Sequence, residues 1–246
     1  GAAFWRANES WLQRAEERWG VPAQVIVGVI GVETYYGRLT GTFRVIDALA
    51  TLSFDFPTGR RDRTPFFRSE LEQFLLWCAR ERCDTAQVQG SFAGAMGLPQ
   101  FMPSSLNTWA VDFDDDGRID LAGSAADAIG SVARYLNYFG WQRGQPTHFD
   151  VRPPDDEANR ALLLGPDILP LFSADEFIER GATLTAEGRA HDGPLALVEL
   201  HNGEAATPSH VAGTRNFWAV TRYNWSSYYA LAVIELGATV AERMRR

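Results

Sequence analysis

From Val25 to Val32 the chain carries eight successive residues without a polar side chain, and the next residue is a glutamate, Glu33. The run falls far short of the roughly 20 apolar residues that span a bilayer, so it is expected to be buried inside a folded domain. Pro22 suits the first turn of a helix and Gly37 a C-terminal cap, which predicts a helix over Val21–Tyr36. On a 3.6-residue period Val25, Ile26, Val29 and Ile30 form one stripe, and Glu33 continues it, four residues after Val29 and three after Ile30. A carboxylate there either acquires a partner or keeps its proton. A desolvated glutamic acid with its pKa raised towards roughly 6 is what protonation of a glycosidic oxygen requires. A purely structural glutamate satisfied by Arg38, Arg44 or backbone donors fits the same pattern, so position alone does not choose.

The rest of the chain reads as mainly helical. Residues 4–19 have an amphipathic helical pattern broken by Gly20; further helices are expected over Val45–Leu52, Pro65–Arg82, Ala125–Phe139 and Ser227–Arg246. Phe54–Thr64 reads as an exposed loop, and Gly90–Pro103, with glycines at 90, 94 and 97 and prolines at 99 and 103, as tightly turned backbone. The region after 141 is richer in Pro, Gly and acidic residues, with short alternating pieces such as Leu195–Leu200 that read as strands. The expected division is an N-terminal helical segment (1–20), a catalytic core (21–141), a small mixed β subdomain (142–210) and a returning segment with a helix (211–246).

A net charge of −8 argues against nucleic acid as a partner and gives no support for anionic lipid. Neither a signal peptide nor a transmembrane segment is visible. Cys78 and Cys83, at i and i+5 of one predicted helix, should point to different faces, so neither a disulfide nor a zinc site is expected from them. Asp112-Phe-Asp-Asp-Asp-Gly-Arg-Ile-Asp120 places oxygen ligands at positions 1, 3 and 5 and glycine at 6, the first two-thirds of an EF-hand loop; position 12 is Gly123, not glutamate. Asp112, Asp114, Asp116 and the carbonyl of Arg118 are the ligands this pattern offers to a structural calcium ion. An acidic solvated turn is the alternative.

Val21–Gly37, Asp47–Leu52, Gly90-Ser-Phe-Ala-Gly-Ala-Met-Gly-Leu-Pro-Gln-Phe-Met-Pro-Ser-Ser105, Asp127–Val132 and Thr221–Asn224, in that order, resemble the membrane-bound lytic transglycosylase B family over nearly the whole chain. The resemblance implies a lysozyme-like helical core with a helical N-terminal part and a small β subdomain (mainly α, α+β). It implies cleavage of the MurNAc-β-1,4-GlcNAc bond of peptidoglycan to 1,6-anhydro ends, without water and without an organic cofactor. Glu33, within Gly-Val-Glu-Thr, would be the single acid and then base. Ser91, Gln100, Tyr135, Tyr223 and Asn224 match substrate-binding positions, and Asp127 matches the aspartate that completes the calcium site. Met96 and Phe101 are candidates for sugar-facing walls, with core packing an equal account; Tyr35, Tyr36, Trp225, Tyr228 and Tyr229 are candidates for the rim. Asp55, before a lengthened stretch at 58–64, is a candidate second carboxylate. The implied location is periplasmic, with a lipid anchor upstream of Gly1, and the implied partners are glycan strands and cell-wall synthesis or divisome proteins. A hydrolytic muramidase and a non-catalytic peptidoglycan-binding scaffold are the competing readings.

Overall fold

A computed structural model describes residues 1–59, 61–203 and 206–246; Arg60, inside the lengthened stretch at 58–64, lies outside the described residues. The chain forms two compact units, one of Gly1–Arg18, Pro22–Tyr135 and Leu236–Arg246, the other of Trp19–Val21 and Leu136–Glu235.

In the first unit the expected helix over 4–19 is two helices, α1 (Ala2–Ala7) and α2 (Glu9–Trp19). They part at Asn8, whose backbone leaves the helical region while its side-chain amide donates back to the Phe4 carbonyl at 2.9 Å. Such local bonding is why asparagine favours helix ends. The apolar run becomes α3 (Ala23–Thr34), buried on every side from Val25 to Gly31. Each aliphatic side chain so buried contributes about 1.5–3 kcal/mol, which offsets glycine's poor helix propensity. Gly31 has a packing reason to lack a side chain: a Cβ there would lie 2.6 Å from the Tyr36 hydroxyl and 2.7 Å from Leu236.

A short ribbon pairs β1 (Phe43–Arg44) with β2 (Gln89–Gly90), and between them run α4 (Val45–Phe54) and α5 (Thr64–Glu81). The buried Glu70 of α5 accepts from Ser104 N at 2.9 Å and Ser104 Oγ at 2.6 Å, which satisfies the start of α6 (Pro103–Trp109). Cys78 and Cys83 form a disulfide across 4.8 Å between Cα atoms, contrary to the expectation from helical spacing. The helix stops before Cys83: Arg82 is left-handed (φ 54°) and Cys83 N donates to the Cys78 carbonyl at 3.0 Å, so the chain doubles back and brings the second sulfur over the first.

The second unit holds a four-stranded antiparallel sheet in the order β4-β3-β6-β5, built from β3 (His148–Arg152), β4 (Thr183–Leu184), β5 (Ala196–Leu200) and β6 (Ser209–Gly213). Three short helices, α8 (Glu157–Leu164), α9 (Ala174–Glu179) and α10 (Ala186–Arg189), fall between β3 and β5, with Leu163, Phe177, Leu184, Leu195 and Leu197 in one core cluster. Their signals are local: Asp156 caps α8, and Ser173 with Glu176 makes a reciprocal capping box on α9. The helix α7 (Ala125–Tyr138) begins in the first unit, with Ser124 Oγ accepting from Asp127 N at 3.2 Å as a cap, and ends in the second. After α11 (Arg215–Thr221), α12 (Ser227–Arg245) runs back from the second unit to the first.

Candidate active site

Glu33 is the penultimate residue of α3 and half-buried, so the stripe of apolar residues delivers it to the edge of the core. The helix ends earlier than its glycine suggested. Tyr35 (φ 50°), Tyr36 (φ 61°) and Gly37 (φ 84°) are all left-handed, at about 1–2 kcal/mol for each tyrosine. Tyr35 N bonds to Gly31 O at 3.0 Å and Tyr36 N to Ile30 O at 3.3 Å, which satisfies the last carbonyls of the helix. Tyr36 folds back over Gly31 and packs on Phe4 at 5.5 Å between centroids; burial raises its phenol pKa. Tyr36 is half-buried, whereas Tyr35 stands in solvent beneath the Arg38 guanidinium. Arg44, the other cation weighed as a structural partner for Glu33, pairs with Asp47.

Thr34 links this helix end to the glycine-rich segment. Its hydroxyl lies 3.2 Å from Ile30 O and 3.0 Å from Leu98 O, and accepts from Gly37 N at 3.0 Å. In that segment the polar side chains hold backbone. Ser91 Oγ accepts from Ala93 N at 3.2 Å and Ala95 N at 3.0 Å, closing the turn that keeps the serine half-buried. Gln100, itself left-handed, donates to Gly97 O at 2.9 Å and Thr40 O at 3.2 Å.

Met96 and Phe101 pair by backbone bonds of 2.8 and 3.0 Å and are 4% and 2% exposed. Phe101 packs 5.7 Å from Tyr135, itself 6% exposed and 4.8 Å from Trp109. Met96 and Phe101 are thus buried, their side chains held inward by the strand-like pairing, and Tyr135 is buried with them. The aromatic rings of this region that do face solvent are Phe92, 73% exposed, and Phe43, paired in register with Gly90. Sequence reasoning passed over both, and over Thr34, since nothing local separates an exposed phenylalanine from a core one. Asp55 is exposed at the end of α4.

Tyr223 and Asn224 belong to the second unit, just past α11; Tyr223 stacks on Tyr229 at 5.9 Å, and Asn224 is exposed. Trp225 and Tyr228 are exposed and Tyr229 half-buried.

The acidic loop brings carboxylates of Asp112, Asp114 and Asp127 within 4.8 Å of one another. Asp127, 1% exposed, accepts from Phe113 N at 2.7 Å and Asp120 N at 2.8 Å. Burial pushes its carboxyl above the usual range, and the charges of Asp114 and Asp112 add to this against the pull of the two backbone bonds. Asp114 Oδ1 is buried with no hydrogen-bond donor. Asp116, also expected as a ligand, is not in this group; its carboxylate accepts from Arg118 N at 2.8 Å. An orphaned buried carboxylate oxygen among three acids fits a hard cation.

Comparison with known proteins bears on this geometry. Residues 1–238 match the family described as Transglycosylase SLT domain. The chain is 42% identical over 247 aligned residues to membrane-bound lytic murein transglycosylase B of Escherichia coli K12, covering 98% of this chain and 63% of that protein. The chain thus spans somewhat under two thirds of that relative's length. Two crystal structures superpose with a TM-score of 0.87 at 40% identity over the whole chain: soluble lytic transglycosylase SltB1 of Pseudomonas aeruginosa, of which 78% is covered, and Escherichia coli Slt35 in complex with calcium, of which 74% is covered. No helix among the described residues is long and apolar enough to cross a membrane. With a matching domain, a close curated relative and the lysozyme-like fold of its structural neighbours, the chain belongs to the SLT-domain lytic transglycosylases.

Proposed function

We propose that this chain cleaves the MurNAc-β-1,4-GlcNAc bond of peptidoglycan as a lytic transglycosylase, with Glu33 as acid and then base. The observation that carries this reading is the placement of Glu33. It sits half-buried at the end of a helix buried from Val25 to Gly31, beside a left-handed turn and joined through Thr34 to the glycine-rich segment. Backbone strain of this kind clusters at functional sites. Protonated Glu33 gives its proton to the leaving glycosidic oxygen as the C1–O4 bond breaks. The resulting carboxylate then takes the proton of the sugar's own 6-hydroxyl as O6 bonds to C1. Glu33 ends protonated and no water is consumed, which is why no second protein carboxylate is needed. The exposed faces of Phe92 and Phe43 suit pyranose rings. Ser91, Gln100 and Tyr135 act mainly by holding that surface; Tyr223 and Asn224 are proposed as substrate-binding residues on their motif match alone.

Replacing Glu33 with Gln and digesting purified peptidoglycan tests the reading. The wild type is expected to release products lighter by one water than hydrolytic muropeptides, and Glu33→Gln to release none. Full activity in the variant would reject Glu33, and products of hydrolytic mass would establish the muramidase reading instead.

Asp112, Asp114 and Asp127 are proposed to hold a calcium ion, supported by the orphaned Asp114 oxygen and by the calcium complex of the solved relative. When bound, the ion supplies charge neutralisation that braces the loop. The relative named as membrane-bound supports a periplasmic, membrane-associated setting.

A further inference from the structure

We propose that Thr34 is a positioning residue for Glu33: its buried hydroxyl locks the last turn of α3 onto the Leu98 peptide and so fixes the carboxylate against the sugar-lining segment. The inference rests on the reading of Glu33 as acid and base.

A threonine near a helix end ordinarily bonds back to the carbonyl four residues earlier. Thr34 does this with Ile30 and also reaches Leu98 O at 3.0 Å, 64 residues along the chain, while only 1% exposed. Its single proton is shared between two carbonyls, and its oxygen accepts the amide of Gly37, the third left-handed residue after the helix. Leu98 is held from its other side as well, because its N–H donates to Leu121 O at 2.8 Å in the chain leading from the acidic loop. A Cβ on Gly97 would lie 2.5 Å from the same Leu121 oxygen, so the segment has little room to shift. Two residues beyond Leu98, Gln100 braces Gly97 and Thr40. The Thr34 hydroxyl thus joins the turn bearing Glu33 to backbone pinned at several points.

The hydroxyl is not needed to end the helix. Tyr35 and Tyr36 amides already satisfy Gly31 and Ile30, and Leu39 N bonds to Thr34 O at 2.9 Å. What the side chain adds is registry between α3 and the segment of Ser91 and Gln100. Near-attack geometry is sensitive to shifts of about 1 Å, which lower rates by about 100-fold. Because the group is buried, it meets no substrate, and its loss should appear in turnover rather than binding.

The test compares Thr34→Val, nearly isosteric but without the hydroxyl, with Thr34→Ser, which retains it, and with Glu33→Gln, on soluble glycan strands well below each melting temperature. Thr34→Val is expected to stay folded and lose about 10- to 100-fold in kcat with KM changed less than about 2-fold. Thr34→Ser should remain within about 3-fold of wild type. If Thr34→Val is too unstable to assay, Thr34→Ala removes the same hydroxyl without adding a methyl group against Leu98. Wild-type kcat in the hydroxyl-free variant beside an inactive Glu33→Gln overturns the proposal. So do equal losses in Val and Ser variants, or a loss that only tracks the unfolded fraction. An active Glu33→Gln removes the reading of Glu33 and the positioning role with it.

Discussion

Asparagine at position 114 should stabilise the metal-free protein while abolishing its response to calcium, an opposition of signs that few other changes would produce. The Asp114 carboxylate has one oxygen bonded to Ser124 Oγ at 2.8 Å and one buried without a donor. Asparagine can keep the first bond and delete the charge. Two like charges 4.8 Å apart, the outer limit of the Asp112–Asp114–Asp127 group, repel by about 3.5 kcal/mol at an effective dielectric near 20. Asp114 takes part in two such pairs. Solvent reaching the half-buried Asp112 and Asp114 lowers the relief to about 1–2 kcal/mol in total. The neighbouring arginines do not neutralise the triad: Arg14 pairs with Asp115 at 2.9 Å and Arg118 lies 3.7 Å from Asp120. Calcium at 100 times its dissociation constant should stabilise wild type by about 2.7 kcal/mol, a rise of several degrees. Scanning calorimetry in chelator and in calcium, with magnesium as control, reads both effects. A variant less stable than wild type in chelator, yet still responsive to calcium, would refute the reasoning about the cluster.

Two further outcomes concern stability. The Cys78–Cys83 bond closes a loop with a sequence separation of only 5, so replacing both by Ala should cost about 2 kcal/mol by loop entropy, measured by urea unfolding beside reduced wild type; no change would mean that the bond does not form in solution. Burial holds His148 and His191 below the usual imidazole range, against the opposing pull of Asp150 and Glu235 on His148 and of Asp192 on His191. Below about pH 6.5 the unfolded chain therefore binds more protons than the folded one, and stability falls as pH drops from there towards the depressed folded pKa values. Replacing both by Gln should flatten that fall between pH 7.5 and 5.5 in urea titrations; an unchanged slope would assign it to other groups.

Much of the helical skeleton was legible because its signals are local: Gly20, Pro22 and Ser124 punctuate it, and α3, α4, α5, α7 and α12 fall close to their apolar periodicities. What escaped depended on conformations that residue type disfavours. A left-handed arginine at 82 turns Cys83 back to Cys78, and left-handed tyrosines at 35 and 36 end α3 before its glycine. The β5 strand is buried almost throughout rather than alternating, because both of its faces are covered, so period 2 carried only part of its signal. At the proposed site, motif resemblance pointed to Glu33, Ser91 and Gln100. It could not show that Ser91 and Gln100 spend hydrogen-bonding capacity on backbone, nor that Phe92 faces outward while Phe101 faces inward. Those distinctions arise from turns that only the folded chain displays.

The departure of the chain at Tyr135 and its return at Leu236 also set an order on biosynthesis. Gly237 lies against the Gln24 carbonyl, so closely that any side chain would collide, and Leu236 meets Gly31. The α3 segment, made earlier, thus waits for α12 before the core of its unit can close. Domain folding usually proceeds from the N-terminal side; here Leu136–Glu235 can complete itself while α3 still lacks its neighbours from α12. During synthesis, that unpaired helix is the segment a holding chaperone would be expected to cover.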